Sequence, residues 1–186
     1  KIIKGLGVDY HTHVIKWSEY RNLMQSFFDS DVIDIELLTD NAMLAVNYQI
    51  AKKYNIPFIL GGTNSSTEGM SMPRNMNWFK FDKKNIKAIN KKFTNVKIET
   101  FPMIGIFDLI YFILIKKIKW INFLDFFDYD KKKAEDELER KFGFKRYKYK
   151  HYESVFTRFY QGYLLPKKFN IDKRILHLST LIMTKQ

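Results

Sequence analysis

The segment from Ile56 to Glu68 changes from a short apolar run into two glycines and then into small polar residues. The run is too short for a helix and Pro57 cannot occupy a helix interior, so the pattern predicts a strand. Gly61 and Gly62 permit a sharp turn and a close approach to a ligand, since neither has a Cβ atom. In parallel α/β sheets, ligands bind beyond the carboxyl ends of strands, where this loop would lie. An ordinary strand-to-helix loop with an N-cap is the alternative.

A helix is predicted immediately before this segment. The apolar residues between Met43 and Tyr54 form a broad face over roughly four helical turns, with Thr39-Asp40 as an N-cap and Asn55 at the end. The strand then begins almost at once, and short helix-to-strand connections of this kind are typical of α/β units.

The N-terminal region adds a strand and a helix to this prediction. Residues 7–15 alternate well enough for a strand, and residues 17–28 predict a helix that Ser18 would cap. The order strand, helix, helix, strand, loop fits a layered α/β domain better than an all-α or all-β plan. With 186 residues, of which 46% are hydrophobic, the chain can bury one core of its own.

Composition excludes several kinds of site. The sequence contains no cysteine, so disulfides and thiolate metal sites are excluded within it. His11 and His13 would share one face of a strand, but no third ligand follows at a suitable spacing, so a zinc site is not indicated. Residues 103–115 are strongly apolar, yet 13 residues are too few to cross a bilayer. They predict a buried helix, with binding to a membrane interface as the alternative.

Positive charge is concentrated in the C-terminal third. Residues 131–186 contain 15 Lys or Arg and 6 Asp or Glu, a net of +9, whereas residues 1–130 contain 17 and 14, a net of +3. Such a field favours an anionic partner: nucleic acid, nucleotide or nucleotide-sugar. A lysine-rich composition that serves no partner is the alternative. The stretch 131–141 predicts a solvated helix with the pair Lys131–Glu135, and Gly143 lies past its end.

A second candidate site lies between residues 150 and 162. If residues 153–163 are helical, Ser154, Arg158 and Gln161 share one face. The opposite side would then anchor the helix in the core through Val155, Phe156, Phe159 and Tyr163. A guanidinium group beside hydrogen-bonding side chains suits phosphate or carboxylate recognition, because it binds such groups in a bidentate way. A surface helix with incidental Arg and Gln residues is the alternative.

Five segments together resemble a known family. They are Gly7-Val-Asp-Tyr-His-Thr-His-Val-Ile15, Gly61-Gly-Thr-Asn-Ser-Ser-Thr-Glu-Gly69, Lys150-His-Tyr-Glu-Ser-Val-Phe-Thr-Arg-Phe-Tyr-Gln161, Leu165-Pro-Lys-Lys-Phe169 and Asp172-Lys-Arg174. In this order they look like the N-acetyl sugar amidotransferases of lipopolysaccharide O-antigen and flagellar-glycan biosynthesis. These cytoplasmic enzymes belong to the PP-loop ATP pyrophosphatase superfamily, with asparagine synthetase and GMP synthetase as relatives. The resemblance runs across nearly the whole chain.

The resemblance implies a fold that these residues complete only in part. The implied fold is a Rossmann-like layered parallel sheet of the adenine nucleotide alpha hydrolase type, with residues 1–100 in the nucleotide-binding domain and residues 101–186 as a mainly helical, basic region. The family's Ser-Gly-Gly-x-Asp-Ser phosphate loop, and the cysteines that relatives carry, do not occur here. We therefore expect residues 1–186 to be the later part of a longer enzyme, and this part alone to be a poor catalyst.

The resemblance also implies a reaction and its partners. ATP would adenylate the acetamido oxygen of a nucleotide-activated N-acetyl sugar with release of pyrophosphate, and ammonia would then displace AMP to leave an acetamidino group. The protein would position the reactants, stabilise charge and exclude water. A glutaminase subunit, with a barrel-type synthase subunit between the two enzymes, would supply ammonia. No membrane span is expected.

Individual residues receive roles by the same resemblance. Gly61, Gly62, Thr63 and Asn64 would shape the loop that binds ATP, and Glu68 would hold Mg²⁺ or orient the substrate. Asn64, Glu68 and Arg158 are the expected catalytic residues. The substrate, including its diphosphate, would be bound by Lys150, His151, Glu153, Ser154, Arg158, Lys173 and Arg174.

Two functions of other classes stay open. RNA binding or tRNA modification is one, because PP-loop relatives thiolate tRNA and this chain is basic and rich in aromatic residues. Against it, no cysteine can carry sulfur and no RNA-binding motif is present, so nucleic acid is not the expected partner. The second is a non-catalytic partner that scaffolds the glutaminase.

Overall fold

The computed structural model describes residues 2–69, 72–73, 76–147 and 154–186. The ten α-helices among them are α1 (Ile2–Leu6), α2 (Trp17–Asp29), α3 (Leu37–Lys53), α4 (Ser65–Glu68), α5 (Lys83–Phe93), α6 (Ile106–Ile110), α7 (Lys131–Phe142), α8 (Val155–Phe159), α9 (Leu165–Phe169) and α10 (Lys173–Thr184). The other elements are strands β1 (Phe58–Gly61) and β2 (Lys119–Asn122), π-helical segments π1 (Tyr111–Ile115) and π2 (Tyr160–Leu164), and a 3₁₀ turn (Phe123–Phe126). None of the described helices is both long and apolar enough to span a membrane.

The strand predicted before the glycine pair is confirmed as β1, which pairs in parallel with β2. The backbone N–H of Lys119 donates to the carbonyl oxygen of Pro57 at 2.8 Å, which sets the register of the two strands. A mixed α/β architecture is therefore present. The described residues form a sheet of two strands only, so the Rossmann-like layered sheet stays a prediction.

The strand predicted over residues 7–15 is wrong. These residues form no regular element, and Tyr10 and Val14 are 68% and 83% exposed. Alternation alone cannot make a strand, because each backbone N–H and C=O group also needs a neighbouring strand to bond with. None of the described residues supplies such a neighbour to this segment.

The helices predicted at 17–28 and 43–54 are confirmed as α2 and α3, with different starts. Lys16, in extended backbone, is the N-cap of α2, so Ser18 lies inside the helix. α3 begins one turn earlier than predicted, because Leu37 and Leu38 are buried and extend its apolar face beyond Asp40. Its end is as predicted, since Asn55 leaves the helical region with a φ of 53°.

The apolar segment 103–115 is helical over α6 and π1, but it is not buried as predicted. Within these two elements Phe112 alone is buried, whereas Phe107 and Leu114 are 72% and 66% exposed. Apolar content on every side indicates burial only when neighbours surround the helix. The described residues cover one side of it.

The chain divides into two compact units. Residues 12–61 and 72–121 form the core unit, and residues 1–11, 62–71 and 122–186 form the loop unit. In the core unit, α2 packs on α5 and α3 packs on β1. Leu23, Phe27 and Ile86 are fully buried there. A second cluster includes Ala45 and Ala51 of α3, whose small side chains let other elements approach the helix closely.

In the loop unit, α10 packs on α4, and capping residues define most helix ends. Asp130 caps α7 by accepting from the N–H of Lys133, and Gly143 ends it in the left-handed conformation with a φ of 65°. The predicted pair Lys131–Glu135 is present with 3.8 Å between nitrogen and oxygen. Glu137 and Lys141 form a second pair along this solvated helix.

Candidate functional site

The loop that follows β1 is ordered by Asn64, the N-cap of α4. Asn64 is in extended backbone and is 7% exposed. Its Oδ1 accepts from the backbone N–H of Thr67 at 2.9 Å and from the Thr67 hydroxyl at 3.1 Å. The Nδ2 group of Asn64 donates to no other group of the described residues. Asn64 therefore orders the loop through its amide oxygen.

A second polar segment meets this loop directly after β2. Thr63 donates from its hydroxyl to Oδ1 of Asn122 at 3.1 Å, and the backbone N–H of Ser65 donates to Oδ1 of Asp125 at 2.6 Å. The side chains of Thr63, Asn122 and Asp125 are all exposed to solvent. We call Thr63, Asn64, Glu68, Asn122 and Asp125 the loop group.

Sequence reasoning missed Asn122 and Asp125. The sequence signal was weak: in the strand Lys119 to Asn122 only Trp120 and Ile121 are apolar. Two adjacent apolar residues are too few to show the periodicity of a strand.

The two glycines of the loop differ in their surroundings. A Cβ atom on Gly61 would lie 2.5 Å from Nε1 of Trp120, so this glycine is required by the indole ring packed on it. A Cβ atom on Gly62 would meet no atom within 4 Å. Neither residue has a positive φ. Gly61 therefore serves packing, and open space for a ligand lies at Gly62.

Glu68 ends α4 and is exposed to solvent. Burial, followed by the negative charges of Glu135, Glu68 and Asp130, raises the pKa of the Tyr129 hydroxyl. The Glu68 carboxylate thus faces a phenol and further acidic groups. Within the described part of the chain, no group of three or more His, Cys, Asp or Glu side chains could hold a metal ion.

The C-terminal segment forms a continuous helical run through α8, π2 and α9. Ser154 caps it by accepting from the N–H of Thr157 at 3.1 Å. The core anchors differ from the predicted ones: Val155, Phe159 and Tyr163 are 76%, 44% and 57% exposed, whereas Tyr160 and Leu165 are fully buried. The buried side of a helix depends on the elements packed against it, and the π-helical turn at 160–164 also changes the spacing of the side chains that follow it.

Two basic side chains at the start of α10 have contrasting environments. Lys173 is 7% exposed, and its Nζ lies 5.2 Å from the centre of the buried Tyr160 ring. Arg174 is exposed and forms a bidentate pair with Asp172, at 2.8 Å from Nε to Oδ1 and 2.6 Å from Nη2 to Oδ2. Arg158 is exposed on α8. We call Ser154, Arg158, Lys173 and Arg174 the basic group.

Helix α10 contacts α4 near one end and carries Lys173 and Arg174 of the basic group at the other. Near its C-terminal end, the Thr184 hydroxyl donates to the carbonyl oxygen of Ser66 in α4 at 2.5 Å. Near its N-terminal end, Lys173 contacts Tyr160. Ten residues of helix separate Thr184 from Arg174, which is roughly 15 Å along the axis. The structure therefore does not bring Lys173 and Arg174 to the loop. The predicted residues Lys150, His151 and Glu153 lie outside the described residues.

Comparison with known proteins matches one part of the chain. Residues 153–186 match the family model described as "LPS biosynthesis protein WbpG-like, C-terminal domain". This similarity supports a role in lipopolysaccharide biosynthesis for the 34 matched residues of 186. The match contains the basic group. No curated protein and no solved structure matches the chain.

Proposed function

We propose that this chain is the substrate-binding part of an ATP-dependent amidotransferase of lipopolysaccharide biosynthesis. The observation that carries the proposal is the match of residues 153–186 to the C-terminal domain of WbpG-like LPS biosynthesis proteins. As substrates, a nucleotide-activated N-acetyl sugar, ATP and ammonia would yield the acetamidino sugar, AMP and pyrophosphate by way of an adenylated amide. The proposal thus assigns a cytoplasmic ligase that acts on an acetamido group.

In this proposal the loop group binds the nucleotide. The amide group of Asn64 would donate to the nucleotide, from a loop that the Asn64 cap orders before any ligand arrives. The open space at Gly62 lets a ligand approach the backbone there. Thr63 and Asn122 hold one another at 3.1 Å and keep the two loops together. Such preorganised donors stabilise developing charge without reorganisation during the reaction.

The loop group offers only part of the coordination shell of a Mg²⁺ ion. An octahedral Mg²⁺ ion is commonly held by one or two carboxylates, with phosphate oxygens and waters completing the shell. Glu68 and Asp125 are the carboxylates that the loop group offers, and both are exposed to solvent. Of the two, Glu68 is proposed as the metal-binding carboxylate, as the resemblance of residues 61–69 to the family implies.

The basic group binds the sugar nucleotide in this proposal. Arg158 supplies the exposed guanidinium, Lys173 supplies a positive charge fixed by the Tyr160 ring, and Arg174 is oriented by Asp172. Ser154 orders the turn that carries Arg158. Lys150, His151 and Glu153 are proposed to extend this surface. A diphosphate-linked sugar is long enough to reach between separated groups, which accounts for their placement at opposite ends of α10.

The test measures amidination by the product of the complete reading frame, because the phosphate loop of the family is not among these 186 residues. The enzyme is incubated with UDP-N-acetylglucosamine or a related sugar nucleotide, ATP, Mg²⁺ and ¹⁵N-ammonium chloride, which replaces the glutaminase and barrel subunits. We expect AMP release in step with ¹⁵N incorporation into the sugar. AMP release that does not depend on ammonia and sugar would contradict the proposal.

Substitutions test the roles that the proposal gives to individual residues. Arg158→Gln and Glu68→Gln should each lower turnover about a hundredfold, because each removes a charge that faces substrate. Arg140→Gln and Glu137→Gln, on the solvated helix α7, are the matched controls and should retain normal turnover. Equal activity in all four variants would exclude the assigned roles. Saturable, salt-resistant binding of tRNA without any amidination would favour the RNA-binding alternative.

A further inference from the structure

A basic cleft of about 520 Å³ lies within the core unit, and it shares no residue with the loop group or the basic group. Its volume falls in the range of small-molecule sites. The floor is formed by Ala45, Ile104 and Phe112, all of which are buried. A cleft with an apolar floor offers contact area to a ring.

The rim of the cleft carries excess positive charge. Lys52 and Lys53 come from the last turn of α3, and Lys83 comes from the start of α5. The carboxylate among the lining residues is Asp108, which pairs with Lys83 and also accepts from the N–H of Gly105 at 2.8 Å. Neither Lys52 nor Lys53 forms an ion pair with any described residue. Two ammonium groups therefore remain for a ligand anion.

Asp108 stays charged in its pair with Lys83. Burial raises the pKa of this carboxyl group, but hydrogen bonds from Lys83 and from the Gly105 N–H outweigh burial and lower it overall. The charges of Lys83 and Asp108 therefore cancel on their side of the cleft. On the other side, Nζ of Lys52 lies 5.2 Å from the centre of the Tyr111 ring, which fixes its position over the floor.

We propose that this cleft binds a small phosphate ester that carries a ring, with the phosphate between Lys52 and Lys53 and the ring over Ile104 and Phe112. Lysine binds phosphate as a compact point charge, and the apolar floor distinguishes an ester from free phosphate. Lys84 and Lys87 of α5 add to the positive field, since Lys87 acts on Asp108 and Lys84 lies over the Phe107 ring. The inference does not depend on the amidotransferase reaction.

The test titrates phenyl phosphate into the 186-residue chain, followed by calorimetry and by the NMR signals of Tyr111 and Phe112. Phenyl phosphate should bind about tenfold more tightly than inorganic phosphate, because the ring buries apolar surface. AMP in a parallel titration distinguishes a nucleotide from a smaller aryl phosphate as the source of this chemistry. Absence of binding by both esters, or equal affinity for inorganic phosphate, would overturn the proposal.

A matched pair of double variants locates the site. Lys52→Gln with Lys53→Gln should weaken binding about tenfold or more, since charge-assisted contacts are lost. Lys91→Gln with Lys92→Gln removes the same charge from the last turn of α5, outside the cleft, and should change affinity less than twofold. Equal weakening by both pairs would show a general cationic surface, such as one for nucleic acid, and would overturn the proposal.

A third variant tests shape independently of charge. Gln49 is exposed on the rim, so Gln49→Trp should obstruct the cleft and weaken binding while the fold is retained. Asn47→Trp, at an exposed position of the same helix that does not line the cleft, should leave phenyl phosphate binding unchanged. Failure of the amidotransferase assay together with intact binding here would separate the two proposals.

Discussion

The core unit and the loop unit are stabilised in different ways. Of the 18 hydrophobic side chains that are buried among the described residues, 16 lie in the core unit, whereas Tyr160 and Leu165 are the two in the loop unit. Asn41 and Glu19, two buried polar side chains of the core unit, bond to distant backbone, whereas Asn64 in the loop unit bonds to its own helix.

The two units are therefore expected to differ in how easily they open locally. Elements with few buried apolar contacts open locally at low free-energy cost, and ligand-binding loops come from such elements. The loop group and the basic group both lie in the loop unit, and the core unit has the cooperative packing that holds a fold. Hydrogen exchange should therefore be slowest in α3 and fastest in α4 and α8. The variants below are ordered from the largest expected effect.

Asn41→Ala should be the most damaging substitution, at about 4 kcal/mol of unfolding free energy in urea titrations. Asn41 is fully buried, and its side chain donates to the carbonyl oxygens of Lys80 and Ile104 at 2.6 and 2.7 Å and accepts from the Ile104 N–H at 3.0 Å. The variant leaves these backbone groups buried without partners. Asn47→Ala, exposed on the same helix, should cost less than about 0.5 kcal/mol. Similar losses in both variants would contradict the comparison.

Glu19→Gln should lower the free energy of unfolding by about 2 kcal/mol at neutral pH. This loss should become smaller as the pH falls. Glu19 accepts from the N–H groups of Glu99, Thr100 and Phe101. Burial raises its pKa, but these bonds and the Thr100 hydroxyl outweigh burial and place the pKa below its ordinary value of 4.5. Because the pKa is lower in the folded state, the stabilisation is present above pH 4.5 and is lost as pH falls through the folded-state pKa.

Measurement of unfolding free energy against pH checks this prediction. The gap between the wild type and Glu19→Gln should narrow steadily in acid. Glu99→Gln is the control, since Glu99 forms exposed pairs with Lys16 and Lys97 that should contribute less than about 1 kcal/mol. If the difference in unfolding free energy between the two proteins did not change with pH, the packing of the Glu19 side chain, and not its charge, would explain its role.

Gly61→Ala and Gly62→Ala change adjacent residues, of which Gly61 belongs to the core unit and Gly62 to the loop unit. The first substitution places a methyl group against the Trp120 indole and should cost about 1–3 kcal/mol. The second meets open space and should change stability by less than about 0.5 kcal/mol. Thermal unfolding followed by tryptophan fluorescence measures both. Equal effects would show that the indole does not pack on Gly61.

Asn64→Ala should have the smallest effect on the free energy of global unfolding. It should lower the free energy of local opening at the start of α4 by about 1 kcal/mol. Loss of the cap should speed hydrogen exchange of the Thr67 amide about fivefold, while the amides of α3 stay unchanged. Asn64→Ser keeps a capping oxygen and should restore most of the protection. Faster exchange in α3 as well, or destabilisation of the whole chain, would mean that the effect of the cap is not local.

Local patterns predicted the elements whose stability is mostly local. β1 follows from Pro57 and the short apolar run, α3 from its periodic apolar face, and α7 from the Lys131–Glu135 spacing. The N-cap that was the alternative interpretation of this loop is present at Asn64, because an Asn, Ser or Thr before a helix satisfies its first N–H groups in any surroundings.

Other features depend on residues that are distant in sequence. The segment 7–15 alternates like a strand but has no partner strand among the described residues. Asn122 and Asp125 join the loop only because β2 pairs with β1, some 60 residues earlier in the chain. The buried residues Tyr160 and Leu165 were not among the predicted core anchors, because the elements packed against a helix decide which of its sides is buried.

The sequence by itself determined the strand before the glycine pair, the helices around it, the absence of thiol chemistry and the basic C-terminal third. Each of these is a property of neighbouring residues or of composition, so no folded context is needed to read it. Only the tertiary structure decided that Gly61 packs against Trp120, that Asn64 is the residue that caps α4, and that Lys52 and Lys53 border a cleft. Those outcomes depend on which distant atoms meet each side chain, because packing and hydrogen bonding act at contact distance.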